Sequence, residues 1–227
     1  MNNDVTCIYY SSNRERPEFE ERIRNCILEN CGGLPIISVT HKPIDFGKNI
    51  VVGDVGVSGF NMFRQVLIAC KEATTKFVLS IEADCTYPPD YFEWIPPRED
   101  ICYRDKNLYV MGQFRRYFYY KPAGATHAQI VGRQFYIDTL EKLFEGEPEW
   151  SVEQRNFPKE KFHQKREDVF TKKEIEYYET TNPVVQIKTS QSMRHYTDSI
   201  REPVYELPYW GDGTNYREKF YNIGYRH

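Results

Sequence analysis

No stretch of this chain holds the roughly 20 consecutive apolar residues that a membrane-spanning helix requires. The opening MNNDVTCIYYSSNRERPE carries neither the basic leader nor the apolar core of a secretory signal, so the expectation is a cytoplasmic protein. Charge of one sign is also scarce. Thirty Lys and Arg against 33 Asp and Glu leave a net −3, which argues against a globally basic nucleic-acid binder while leaving room for a local basic face. The six cysteines contain no C-x-x-C pair, so zinc-site spacing is missing, and a disulfide framework is not expected without a signal. Cys7, Cys26, Cys31, Cys70, Cys85 and Cys102 read instead as buried thiols, small hydrophobes in apolar stripes. The phosphate-cradling G-x-x-x-x-G-K-[ST] is absent, and GDVGVSG (residues 53–59) has the wrong spacing for G-x-G-x-x-G. P-loop enzymes and Rossmann oxidoreductases are thereby set aside.

What is present suits one domain. The 227 residues are 40% hydrophobic and 15% aromatic, with 18 Tyr and 14 Phe, enough for a substantial core and a cleft. Residues 5–10 (VTCIYY) read as a first strand, and 17–31 as a helix with Pro17 in its first turn and Phe19, Ile23, Cys26 and Ile27 on one face. Residues 34–40 form a second apolar strand. A short strand, a glycine loop and a helix follow, with Ser58 as candidate cap and Phe63, Val66, Leu67 and Cys70 as its stripe. FVLSI (77–81) is the next strand. This alternation predicts an α/β fold, a mostly parallel, Rossmann-like sheet flanked by helices. Further on, residues 108–121 look like one strand, 133–146 like a helix and 183–189 like a late strand. Residues 148–182 are polar, and the aromatic tail is expected to pack back on the body.

Two acids, Glu82 and Asp84, end the strand FVLSI with only Ala83 between them. Residues two apart in a strand project to one side, and open α/β sheets bind ligands at the carboxyl edge of their strands. Paired carboxylates repel unless solvated, protonated or bridged by a cation. Mg²⁺ or Mn²⁺, which shares such ligands with substrate phosphates, relieves the repulsion. Acid-x-acid triplets also occur as ordinary solvated turns.

The order of elements up to this triplet, with PIISVTHKPIDFGKNIVVGDVGVSGFNMFRQVLIACKEATTKFVLSIEADCTYPPDYF, resembles the GT-A class of nucleotide-sugar glycosyltransferases, and within it small family-2-like enzymes common in phage and bacterial genomes. The resemblance covers about residues 4–95 and is thinner beyond. It implies a GT-A-like single domain: residues 1–100 for the nucleotide-sugar, 101–195 for the acceptor, and 196–227 as a tail. Its usual Asp-x-Asp is here Glu82-Ala83-Asp84. By resemblance Glu82 and Asp84 hold Mn²⁺ or Mg²⁺ on the diphosphate of a donor, UDP-linked foremost. His195 in VVQIKTSQSMRHYTDS is a further metal ligand on the same basis, and LPYWGDGTNYREKFY matches a Trp-Gly tail of that group. Tyr10, Ser11, Ser12 and Thr40 become candidates for the base and ribose. Ser58, Asn61 and Arg64 become candidates for the donor's phosphate or sugar, a role a helix N-terminus favours. Glu167 and Asp168 (KREDVF) are candidates for the carboxylate base of an inverting reaction, with Glu147 and Glu149 as competitors and a solvated surface as the plainer account.

The acceptor is harder to read. QFRRYFYYKPAGATHAQ interleaves Arg115, Arg116 and Lys121 with Tyr117, Phe118, Tyr119 and Tyr120, cations and rings of the kind a nucleic-acid face uses. Some phage relatives modify hydroxymethylated pyrimidines in DNA, so base-modified DNA is one expected acceptor and a glycan or small molecule the other. A nucleotidyltransferase would carry a glycine-rich basic loop where this chain has SSNRERPE. Glycosidases place paired carboxylates on separate elements. A non-catalytic GT-A-like module that binds glycans or nucleic acid is the rival from another class.

Overall fold

The computed structural model describes residues 4–122, 124–151, 168–193 and 202–221. The first half runs β1 (Val5–Ser11), α1 (Pro17–Asn30), β2 (Ile36–Thr40), β3 (Lys48–Val51), α2 (Gly59–Glu72), β4 (Phe77–Glu82), β5 (Cys85–Thr86) and α3 (Pro89–Glu93). The second half runs β6 (Cys102–Asp105), β7 (Leu108–Gly112), β8 (Tyr119–Tyr120), β9 (Gln129–Gly132), α4 (Arg133–Phe144), β10 (Ile175–Tyr178), β11 (Val184–Lys188), β12 (Glu206–Leu207), β13 (Gly211–Asp212) and α5 (Gly213–Tyr221).

The main sheet has seven strands in the order β10-β6-β9-β4-β1-β2-β3. Its four strands β3, β2, β1 and β4 are parallel, whereas β9 runs antiparallel to both β4 and β6. The fold is therefore α/β with a mixed, mostly parallel sheet, the class that strand–helix alternation predicts. Every residue of β1 is buried, and alternate side chains feed opposite faces. Val5, Cys7 and Tyr9 join the core under α1, while Ile8 and Tyr10 join the core under α2 and α4. Each such aliphatic or aromatic side chain contributes roughly 1.5–3 kcal/mol by burial.

The helices form where their sequence allows. In α1, Pro17 sits in the first turn, Glu18 and Glu20 face the positive end of the helix dipole, and Phe19, Ile23, Cys26 and Ile27 are buried. Gly32 and Gly33, both at positive φ, take the chain out of it. Ser58 caps α2, its Oγ accepting from the Asn61 amide at 3.1 Å. All six cysteines are free and buried. Among the described residues, no helix is long and apolar enough to cross a membrane.

One expectation needs correction. Residues 108–121 do not form a single strand. They fold as an antiparallel hairpin, β7 and β8, with residues 113–118 connecting them. That hairpin belongs to a second, four-stranded sheet, β5-β11-β7-β8, in which β11 lies parallel to β7 and antiparallel to β5. The aromatic residues mask the turn, because Phe114, Tyr117 and Phe118 continue through it between Gln113, Arg115 and Arg116. Helix α5 carries the tail into the core through Tyr216 and Phe220.

Candidate active site

The carboxyl ends of β1, β2 and β4 lie side by side, with Tyr10 opposite Glu82 and Ser11 opposite Thr40. A cavity of about 310 Å³ opens at that edge. Its walls come from remote parts of the chain: the loop after β1, the glycine loop before α2, the end of β4, Lys121 with residues 124–127, and the end of β11.

Glu82 is the last residue of β4, and Tyr10 donates a hydrogen bond to its carboxylate at 2.9 Å. Its own amide donates to the Tyr87 hydroxyl at 2.9 Å. Asp84 follows the strand, and the Gln186 side-chain amide donates to its two oxygens at 3.2 and 3.4 Å. The Asp84 carbonyl accepts from the Ile187 amide at 2.7 Å, so β11 fixes the turn that bears the acid. Burial, and then the neighbouring Asp84 charge, push the Glu82 carboxyl up to about 7, against the pull of the Tyr10 hydroxyl and of Lys188 and Lys121. Two neighbouring carboxylates, one raised by burial and by the charge of the other, fit a hard divalent cation by the chemistry of their donor oxygens.

Other titrating groups converge on the same cavity. Thr189 donates to Glu15, whose carboxyl is pushed up to about 7 chiefly by burial. Ser11 donates to Glu20 at 3.0 Å, and burial raises that carboxyl as well. Lys121 is lowered to about 8 by burial and then by the positive charge of Lys188. His127 is held well below its ordinary value, first by burial and then by Lys121. His41 is lowered by burial too, with Asp54 at 3.8 Å acting in the other direction.

Of the residues expected from sequence, Tyr10, Ser11, Ser12, Ser58, Asn61, Glu82, Asp84 and Asp168 all line the cavity. Thr40 is buried in the sheet end, donating to the Lys42 carbonyl at 2.7 Å, and is not among the lining residues. Asn61 spends its side chain on structure: it donates to the Val55, Gly56 and Ser151 carbonyls and accepts from the Ser151 amide. Arg64 points elsewhere, its guanidinium 3.8 Å over the Phe144 ring and donating to the Pro148 carbonyl. Asp168 is clasped by Arg104 through two hydrogen bonds of 2.6 and 2.8 Å and also accepts from the Phe170 amide at 3.2 Å. Arg115 and Arg116 are exposed in the β7–β8 turn, Tyr117 is half-buried beside Arg115, and Tyr119 is buried. Glu167 and His195 lie outside the described residues. Glu15, Glu20, Gln65, His127, Gln186 and Lys188 also line the cavity without forming any motif. A carboxylate in the loop after the first strand was the one available signal for Glu15.

No protein-family model matches the chain, and no curated protein sequence does. Solved structures with a similar backbone include the apo-form glycosyltransferase GlyE of Streptococcus pneumoniae (TM-score 0.44, 12% identity, 63% of this chain and 38% of that one). Another is S. aureus TarS (0.48, 11%, 82% and 37%), which has also been solved as residues 1–349 in complex with UDP-GlcNAc (0.48, 10%, 83% and 60%). A third is a glycosyltransferase involved in glycosylation of the major capsid of PBCV-1 (0.45, 11%, 80% and 92%). The chain thus spans less than two fifths of GlyE and of the first TarS structure. Likeness at this level assigns no activity to this chain.

Proposed function

We propose that the cavity binds a nucleotide-sugar, UDP-linked foremost, together with Mn²⁺ or Mg²⁺, and that the chain transfers the sugar to an acceptor hydroxyl. The observation that carries this reading is the Glu82–Asp84 pair, set in a cavity at the carboxyl edge of a parallel sheet and fixed there by Tyr10, Tyr87 and Gln186. Glu82 and Asp84 would hold the cation, with His195 as a further candidate. A bound cation there neutralises charge that develops on a leaving diphosphate.

The chain's own groups supply the rest. Tyr10, Ser11 and Ser12 offer a ring and hydroxyls to base and ribose. Lys121 and Lys188 add positive charge within the same cavity. Asp168 would accept an acceptor proton only after its ion pair with Arg104 opens, so its present state is that of a clamp between β6 and the segment before β10. Among the described residues no guanidinium clasps Glu15 in that way, and its carboxyl near 7 suits proton transfer at neutral pH. It is the better candidate for the base. For the acceptor, the exposed Arg115 and Arg116 favour a polyanion such as hydroxymethylated DNA, with a glycan as the other class.

The test is the thermal midpoint of the protein with a panel of nucleotide diphosphates and their sugars, with and without Mn²⁺. Ligands that bind only the native state raise the midpoint by linkage. A rise that needs nucleotide and metal together is the expected result. No rise with any pair would remove the transferase reading and leave a binding module of other specificity.

A further inference from the structure

Cys85 is wholly buried, directly behind the Glu82–Asp84 turn, and its thiol donates to the Asp84 carboxylate at 3.3 Å. A ring nitrogen of His127, the Cys85 sulfur and a Glu82 carboxylate oxygen all lie within 4.8 Å of one another. His127 is 4% exposed, and its Nε2 is buried with no hydrogen-bond partner among the described residues. Such an orphaned nitrogen calls for a ligand. Nor is the grouping a chance of loose loops. The Tyr87 hydroxyl accepts from the Glu82 amide and donates to the His127 carbonyl at 2.8 Å, tying together the two segments that carry the donors. Cys85 is registered against Gln186 by β5–β11 pairing.

We infer that Glu82, Cys85 and His127 form a binding site for a borderline-soft divalent ion, with Zn²⁺ the natural occupant. One thiolate, one imidazole and one carboxylate are a three-ligand zinc set, and Asp84 or water completes the tetrahedron. Bonds of about 2.0–2.3 Å place tetrahedral ligands roughly 3.3–3.8 Å apart, so small side-chain rotations close the cluster. As the sulfur–metal bond forms, the thiol proton leaves to solvent. Two carboxylates and a thiolate then offset the ion and one of the two positive charges that Lys121 and Lys188 bring to the cavity. Since Glu82 belongs to both sites, zinc excludes the hard cation of the donor, a consequence that rests on the function proposed above. The zinc site itself does not.

Titrating the reduced, metal-free chain with Co²⁺ alone tests it, because cobalt bound to a thiolate shows a sulfur-to-metal charge-transfer band. The band should saturate near about one equivalent, disappear on adding Zn²⁺, and be missing in Cys85→Ser. His127→Gln should weaken binding by about tenfold or more. No band in the wild type, or an undiminished one in Cys85→Ser, overturns the site. Should Cys85→Ser lose its fold by circular dichroism, His127→Gln decides, and unchanged affinity there overturns it as well. Failure of this titration would leave the nucleotide-dependent thermal shift untouched, so the two readings fall separately.

Discussion

At Glu82 the backbone and the side chain want different things. The amide belongs to a buried parallel strand, while the carboxylate needs a counter-charge that the strand cannot supply, and burial with Asp84 beside it raises its pKa to about 7. Asp84→Asn should remove the repulsion and keep the Gln186 contact, since an amide still offers an oxygen. The metal-free variant is therefore expected to melt at or above the wild-type temperature, while metal-dependent turnover falls by about 100-fold or more. Full turnover in that variant would dismiss the cation from the Glu82–Asp84 pair. Asp168 calls for the opposite expectation. Its carboxylate and the Arg104 guanidinium are both buried, so Asp168→Asn strips the charge from one side and leaves the other uncompensated, at about 3–5 kcal/mol. The expected signature is a large fall in melting temperature, with activity recovered on cooling. A stable protein with abolished turnover would instead return Asp168 to the reacting centre. The acid pair was legible in the sequence because two residues state it. His127, Gln186 and Lys188 were not, since only the crossing of β11 beside β5 and the return of residues 124–127 bring them to the same cavity, and Glu15 had no more than its place in the loop after β1 to mark it.

Elements were legible in proportion to their local signal. Strands β1, β2 and β4 are continuous apolar runs bounded by turns, and α1, α2 and α4 carry apolar stripes at helical spacing. Their existence therefore followed from the residues alone. Strands β5, β8, β12 and β13 have two residues each, too short for any period, and β6, β9 and β10 have only four. Pairing with distant partners makes β5, β6, β9 and β10 strands, while β8, β12 and β13 arise in short hairpins. The antiparallel β9 is held where Gly132 meets the chain at Glu99, a contact so close that a Cβ on Gly132 would sit 1.7 Å from the Glu99 carbonyl oxygen. Only a residue without a side chain allows it. The cap of α2 is a milder device, and its removal can be measured cleanly. Ser58→Ala leaves the Asn61 amide without its acceptor at 3.1 Å and should cost about 1 kcal/mol in chemical denaturation. An unchanged denaturation midpoint would mean that the glycine loop, held by the Asn61 side chain, suffices to start the helix.

For the molecule as a whole, the cavity concentrates acids whose protonation the fold favours, so stability must depend on pH. Glu15 and Glu82 both stand at about 7 in the native state against an ordinary 4.5. The native protein therefore binds protons that the unfolded chain has already released. Their contribution is complete below the ordinary value and is lost as pH rises through 7. His127 acts oppositely: held neutral by burial, it contributes above about 6.5 and loses that contribution as pH falls below it. Lys121, lowered from 10.5 to about 8, opposes that decline above 8, because the unfolded chain still holds a proton that the native protein has released. Between pH 6.5 and 8 the two glutamates therefore set the sign, and the melting temperature in metal-free buffer should fall across that interval. Glu15→Gln should flatten the decline without reversing it, because Glu82 still titrates. A melting temperature that holds steady or climbs from pH 6.5 to 8 would show that the acids already have their counter-charge within the protein. The cavity would then owe its charge balance to Lys121 and Lys188, and the case for a cation at Glu82 and Asp84 would fall with it.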